Sequence, residues 1–296
     1  MPARLIVFAH VGAPLSPHDL WRAWTFEPVT VVLLAASAWV YAVGLSRLWR
    51  AAGVGRGVRR GEAWTFAVGW LVLALSLVSP LHALGGVLFS AHMAQHELLM
   101  TVAAPLLVLA RPLIPFVWAL PPPWRRATGV RIARSGVGRA WHALTHPLAA
   151  FVIHGVAIWG WHIPALYDAT IDNEAMHAAQ HLSFFATALL FWWVALRRGE
   201  ARGGTLAAIG ALFATMLHTG ALGALLALTP SLAYVAYATT TGPWGLTPLE
   251  DQQLGGLIMW VPGSIAYLAA TLALVARVLR DSEARARRRD EAALTA

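Results

Sequence analysis

Apolar runs of about 20 residues recur along this chain, and that length spans a hydrocarbon core of about 30 Å. Of the 296 residues, 58% are hydrophobic and 12% are charged. A soluble domain carries roughly twice that charged share. The expected fold is therefore all-α, a polytopic membrane bundle of about seven transmembrane helices. The spans are expected at about Pro28–Trp49, Ala63–Val78, Leu88–Ala110, Pro147–Asp168, Ala175–Leu196, Thr205–Leu228 and Leu254–Leu279. Residues 28–280 then form one transmembrane domain, preceded by an external segment 1–27 and followed by a charged tail 281–296. The opening stretch MPARLIVFAHVGAPLSP has an apolar run, broken by His10, that is short for a signal h-region.

The net charge of +8 comes from arginine. These arginines fill alternate connections: Arg47 to Arg60, Arg111 to Arg139, Arg197 to Arg202, and Arg277 to Arg289. The intervening connections are uncharged or hold acids such as Asp168, Asp172 and Glu174. The positive-inside rule makes the arginine side cytoplasmic, with the N-terminus outside and the C-terminus inside. Membrane topology thus accounts for the basic balance, and no nucleic-acid partner is needed; the lipid bilayer is the partner it implies. The chain has no cysteine, which excludes disulfides, thiolate metal sites and thiol nucleophiles.

Two His-x-x-Gln-His pentads, HMAQH and HAAQH, lie inside apolar spans. Residues four apart on a helix point the same way to within about 40°. His92/His96 and His177/His181 are therefore two-pronged clamps. At 1.5 Å rise per residue, His92 and His96 lie roughly 6 and 12 Å below the outer edge, His162 and His181 roughly 9 Å, His177 roughly 3 Å and His218 roughly 15 Å. Ionisable groups at membrane depth mark sites by default, and imidazole is the commonest side-chain ligand for zinc, copper and iron. His92, His96, His162, His177, His181 and His218 are the expected metal ligands. His154 lies deeper and reads as a polar group bonding a neighbouring helix.

Apart from Met1, the methionines Met93, Met100, Met176, Met216 and Met259 all fall in the outer half or near the midplane, and thioether favours Cu(I). They read as accessory ligands or as packing. Glu97 adjoins the first clamp, where it could orient an imidazole, accept a proton, or sit protonated against a backbone group. Gln95 and Gln180 hold matching places in the pentads, as supports for the ligands or as interhelical glue. Glu250 and Asp251 open the last span in LTPLEDQQLGG, either as ordinary first-turn acids or as groups that attract a cation or dock a partner. Gly220, Gly223, Gly255 and Gly256 read as points of close helix approach.

The segments SAHMAQHELLMTVAAPLLVLARPL, WHIPALYD, HAAQHLSFFATALLFWW and PLEDQQLGGLIMWVPGS resemble the multi-spanning CtaG-type cytochrome c oxidase assembly proteins associated with caa-type oxidases. The resemblance runs from about Leu20 to Arg280. It implies a bacterial inner-membrane assembly factor, not an enzyme, that matures a haem–copper oxidase at its copper step. Copper is the metal so implied, with zinc and iron as alternatives. The implied partners are cytochrome c oxidase subunits, with a periplasmic copper chaperone as a further candidate. The chain departs from the family pattern at His82 and Glu97. Read from the residues alone, a membrane-embedded metalloenzyme of zinc-hydrolase or di-iron type is the competing function, with Glu97 or Asp168 as base.

Overall fold

The structure is a computed structural model that describes residues 15–125, 135–197 and 204–294. His10, Arg126, Arg131, Arg134, Arg198 and Arg202 lie outside the described residues. The described residues form helices and connections, with no strand among them.

Each helix begins where its sequence supplies a start signal. Glu27 accepts from the amides of Val29 and Thr30 at the head of α1 (Pro28–Ala52). The Glu62 carboxylate accepts the Arg59 amide at the head of α2 (Arg60–Val78). Ser79 and Pro80 open the short helix α3 (Pro80–Gly85), with the Ser79 hydroxyl accepting from Leu81. Helix α4 (Phe89–Leu109) carries the first pentad, and α5 (Leu113–Ala119) follows at 62° to it. Helix α6 (Gly136–Leu144) meets α7 (Pro147–Trp161) at 74°. Then come α8 (Pro164–Asp172), α9 (Glu174–Arg197), which carries the second pentad, and α10 (Gly204–Leu228). The last helix, α11 (Pro248–Ala293), opens on a Thr247–Glu250 capping box.

Five of these helices are long and apolar enough to cross a membrane, or up to seven when each bent pair counts as one span. The protein is thus an all-helical membrane protein. Val32, Leu33, Trp39, Leu206, Leu225 and Leu272 point outward from the bundle, as lipid contact requires.

Two elements differ from the expected spans. The fourth does not run unbroken from Pro147 to Asp168. It stops at Trp161, and the chain restarts at Pro164. Proline lacks an N–H and disfavours helical geometry at the residue before it, so Ile163 turns extended. His162 therefore occupies a helix end rather than a mid-helix position. The seventh starts at Pro248, six residues ahead of the expected Leu254, and runs helical to Leu294, so the charged tail continues the helix.

Helices α4 and α11 each contain a π-helical turn, Leu98–Ala103 and Met259–Gly263. Such turns insert an extra residue and re-aim the side chains beside them. Within the first, the Met100 carbonyl accepts the Trp192 indole N–H at 2.8 Å. A neighbouring helix thus satisfies backbone that the irregular turn exposes, as a water-free interior demands.

Helices α10 and α11 touch backbone to backbone. A Cβ on Gly256 would lie 2.5 Å from the Ala227 nitrogen, and one on Gly223 would lie 2.6 Å from the Trp260 nitrogen. By contrast, nothing lies within 4 Å of a Cβ on Gly210. Gly256→Ala is expected to destabilise the bundle by about 1–3 kcal/mol through overpacking, while Gly210→Ala leaves it unchanged or slightly firmer. Thermal melting of the two variants in one detergent compares them.

Candidate metal centre

The site is built from one end of the bundle, where α3, α4, α8, α9 and the connection 229–247 converge. Helix α4 begins at Phe89 within the protein, and its N-cap residue Leu88 has no polar side chain. The missing cap comes from α11. Asp251, 0% exposed, accepts the Phe89 amide at 2.6 Å, the Ser90 amide at 3.1 Å and the Ser90 hydroxyl. A carboxylate there satisfies orphan amides and complements the positive end of the helix dipole. It also fixes where α4 starts and how it is rotated.

The rest of the LEDQQ segment has comparable structural work. Glu250 closes its own capping box with Thr247. Gln252 accepts the amides of Ala233 and Tyr234 and donates to the Ser231 carbonyl. Gln253 donates to the Thr229 carbonyl. These contacts pin the 229–247 connection over the site. Glu250 and Asp251 thus both cap helix starts, Glu250 on the exposed side of the turn and Asp251 buried against α4.

From that connection, the Tyr234 hydroxyl donates to the His162 carbonyl at 3.0 Å. Tyr237 reaches further in and donates to the Gly85 carbonyl at 2.9 Å. With its one proton so used, the Tyr237 oxygen can only accept from His92 Nδ1, 3.0 Å away. Burial pushes the Tyr237 phenol well above the ordinary tyrosine range, so it stays a neutral hydroxyl. His92 therefore carries its proton on Nδ1, and its Nε2 keeps a lone pair.

Five imidazoles, His92 among them, form one cluster. Ring centroids stand 4.3 Å apart for His92–His96 and for His177–His181, 5.0 Å for His96–His181 and 5.1 Å for His92–His177. The fifth is His82, stacked on His177 at 5.3 Å with an interplanar angle of 7°. One ligand nitrogen from each of His92, His96 and His181 lies within 4.8 Å of the other two. The same holds for His82, His177 and His181, so His181 belongs to both triads. Two imidazole nitrogens on one ion stand about 3.3–4.1 Å apart, a distance that small ring rotations reach.

The donor set fits a metal. His92 Nε2, His181 Nε2 and both nitrogens of His96 are buried without a hydrogen-bond partner. Each such group costs about 1–3 kcal/mol if left unsatisfied. Lone pairs converging from several rings answer to a Lewis acid rather than to one another.

Among the expected ligands, the structure brings together His92, His96, His177 and His181. It does not bring in His218. That residue accepts the Trp159 indole N–H on Nδ1 at 3.2 Å, packs against Phe151 and has no ring contact with the cluster. His162 also stands apart: Nδ1 donates to the Ile158 carbonyl at 2.7 Å and Nε2 faces the Met93 sulfur at 3.5 Å. His154 is held between the Thr187 and Tyr267 hydroxyls.

His82 joins the cluster although the sequence reading did not place it among the expected ligands. Its signal was the Ser79-Pro80 helix start, which folds the connection into α3 and lays His82 over the cluster. Gln95 holds it there. The Gln95 amide donates to the Ser76 carbonyl at 2.6 Å, which fixes the amide orientation, and approaches His82 Nδ1 at 3.0 Å. Gln180 is fully buried. Met176 and Met216 sit in partly buried packing positions, whereas Met93 and Met259 line a cavity together with Glu97.

Residues 39–281 match the family described as cytochrome c oxidase caa3 assembly factor. Among curated proteins, the chain is 29% identical over 282 residues to uncharacterized proteins of Mycobacterium bovis and Mycobacterium tuberculosis, covering 90% of this chain and 41% of each relative. It is 28% identical over 301 residues to an uncharacterized protein of Mycobacterium leprae, covering 96% of this chain and 44% of that one. The chain thus spans less than half the length of these relatives. No solved structure matches it.

Asp251→Ala strips the start of α4 of its cap and leaves buried amides unpaired. It is expected to cost about 2–3 kcal/mol, and Asp251→Asn less. Glu250→Ala, on the exposed side of the same turn, costs the least of the three. Chemical denaturation followed by tryptophan fluorescence ranks them.

Proposed function

The chain belongs to the cytochrome c oxidase caa3 assembly factor family, and from that premise we propose that it holds copper on the buried imidazole cluster for delivery to an assembling haem–copper oxidase. The observation that carries this reading is the set of buried, unpartnered nitrogens on His92, His96 and His181, aimed at a common centre. Copper is cargo here. It suits a site of several imidazoles with thioethers close by and no thiolate.

The exposure gradient gives the cluster a direction. His82 and His177 are half-buried, His181 is 8% exposed, and His92 and His96 are at most 1% exposed. A metal arriving at His82 and His177 meets His181, the shared member, and passes by ligand exchange to His92 and His96. No single step has to release the ion to solvent. Tyr237 holds His92 in the ligating tautomer, and Gln95 holds His82 in place.

The positive-inside rule places this end of the bundle toward the periplasm, with the N-terminus outside, the arginine-rich connections in the cytoplasm, and the bacterial inner membrane as host. Copper then comes from the periplasmic side, by way of a chaperone there, and the recipient is an oxidase subunit. The hydrolase or oxygenase alternative requires a base beside the ion. Among the described residues, neither histidine triad includes a carboxylate.

Purified protein loaded with copper and desalted is expected to retain it stoichiometrically. His92→Ala/His96→Ala should lose that copper while keeping its helical circular dichroism. Retention of full stoichiometry by the folded double variant contradicts the proposal. Tyr237→Phe removes the acceptor for His92 Nδ1–H, so chelator competition should show copper affinity weakened by about 10–100-fold.

A further inference from the structure

Beside the imidazole cluster, deeper in the bundle, lies a small cavity between α4, α7, α10 and α11. Met93, His96, Glu97, Met100, His162 and Met259 line it. The space open to the centre of a water molecule is about 10 Å³, room for one small ion. We propose that this cavity is a second metal site, selective for a soft monovalent cation of the Cu(I) class. Met93 and His162 are its primary ligands, Met100 and Met259 supply further sulfur, and His96 connects it to the imidazole cluster. The inference rests on the proposed copper role only for the source of the ion; apart from His96 its residues are different.

The His162–Met93 contact is the first support. A backbone carbonyl can only accept, so His162 Nδ1, 2.7 Å from the Ile158 oxygen, carries the ring proton. Nε2 then presents a lone pair to the Met93 sulfur at 3.5 Å. Two lone-pair donors face each other with no proton between them, so the contact is not a hydrogen bond. A metal with bonds of about 2.0 Å to nitrogen and about 2.3 Å to sulfur spans a 3.5 Å gap at close to the tetrahedral angle.

The second support is His96, 1% exposed, whose two nitrogens are both unpartnered. It lines the cavity and belongs to the His92–His96–His181 triad. A neutral imidazole has one lone pair, so His96 serves one site at a time and its tautomer selects which.

The walls are the third. Met93, Met100 and Met259 are at most 4% exposed, and thioether ligands select Cu(I) over harder ions. Met100 lies within one π turn and Met259 begins the other, so the two irregular turns aim sulfur at the same space. Glu97 directly precedes the first turn. A Cβ on Gly263, in the second turn, would stand 2.8 Å from Glu97 Oε2, which has no hydrogen-bond partner. If Glu97 gives up its proton as the ion enters, one carboxylate and one monovalent cation leave the cavity neutral, the arrangement a low-dielectric interior favours.

The test is X-ray absorption at the copper edge on the full chain in detergent, saturated anaerobically with Cu(I). The wild type should show a sulfur shell at about 2.3 Å beside the nitrogen shell at about 2.0 Å. Met93→Leu/Met259→Leu conserves volume; it should lose one equivalent of copper and the sulfur shell while keeping the nitrogen shell. His92→Ala/His181→Ala should do the reverse, which separates this site from the imidazole cluster. A copper-loaded His92→Ala/His181→Ala variant with its sulfur shell intact upholds this site even if the wild-type cluster binds nothing. A saturated wild type with no sulfur shell overturns it, as does a folded leucine variant whose sulfur shell is unchanged. If the leucine variant does not fold, His162→Gln replaces it, with Cu(I) affinity expected to fall at least tenfold and an unchanged affinity counting against the site.

Discussion

A helix that begins inside a bundle needs partners for its first amides, and at α4 those partners come from a carboxylate on another helix. Asp251 meets Phe89 and Ser90 at the point where Leu88 offers nothing. In a water-free interior, unsatisfied amides would cost several kcal/mol, so the start and rotation of α4 are tied to α11. His92 and His96 lie one and two turns further along. The aim of the first clamp therefore depends on a residue that never touches it. Gln252, beside Asp251, pins the 231–234 backbone and so brings Tyr237 to His92.

The same accounting of protons and lone pairs separates the histidines by role. Those whose two nitrogens are both engaged, such as His154 between hydroxyls, hold the bundle together. His92 and His162 each have Nδ1 committed as a donor, which leaves Nε2 as a fixed lone pair. His218 has the opposite arrangement: its Nδ1 accepts from an indole, so the proton sits on Nε2. A buried lone pair facing other lone pairs is costly in the apo protein, and a bound cation relieves it. On the copper-holding proposal, the hydrogen bonds that fix these tautomers also prepare the rings for the ion.

The spans were legible because bilayer length and apolar run length are the same quantity. Glu174–Arg197 and Gly204–Leu228 fall within one residue of the ends expected for them. The paired clamps were legible because a spacing of four puts both rings on one face. Gly223 and Gly256 were legible as contact points, and backbone atoms now stand where their Cβ atoms would be. Helical rise, however, gives height and not direction. His218 sits at a suitable height, yet each residue turns about 100° around the axis, and packing turns His218 toward Trp159. His162 shifted because Pro164 ended its helix. His82's place in the cluster and Asp251's role as the cap of α4 were not legible for one reason: their partners are set by tertiary packing. For Asp251 that partner is 162 residues away along the chain.

The central claim is that imidazoles from separate helices converge to hold one transition-metal ion. Anomalous scattering at the copper edge, from crystals of the copper-loaded protein, tests it most directly. A peak is expected at bonding distance from nitrogens of His92, His96 and His181. No peak at those nitrogens at full loading, with the rings well ordered, would contradict it.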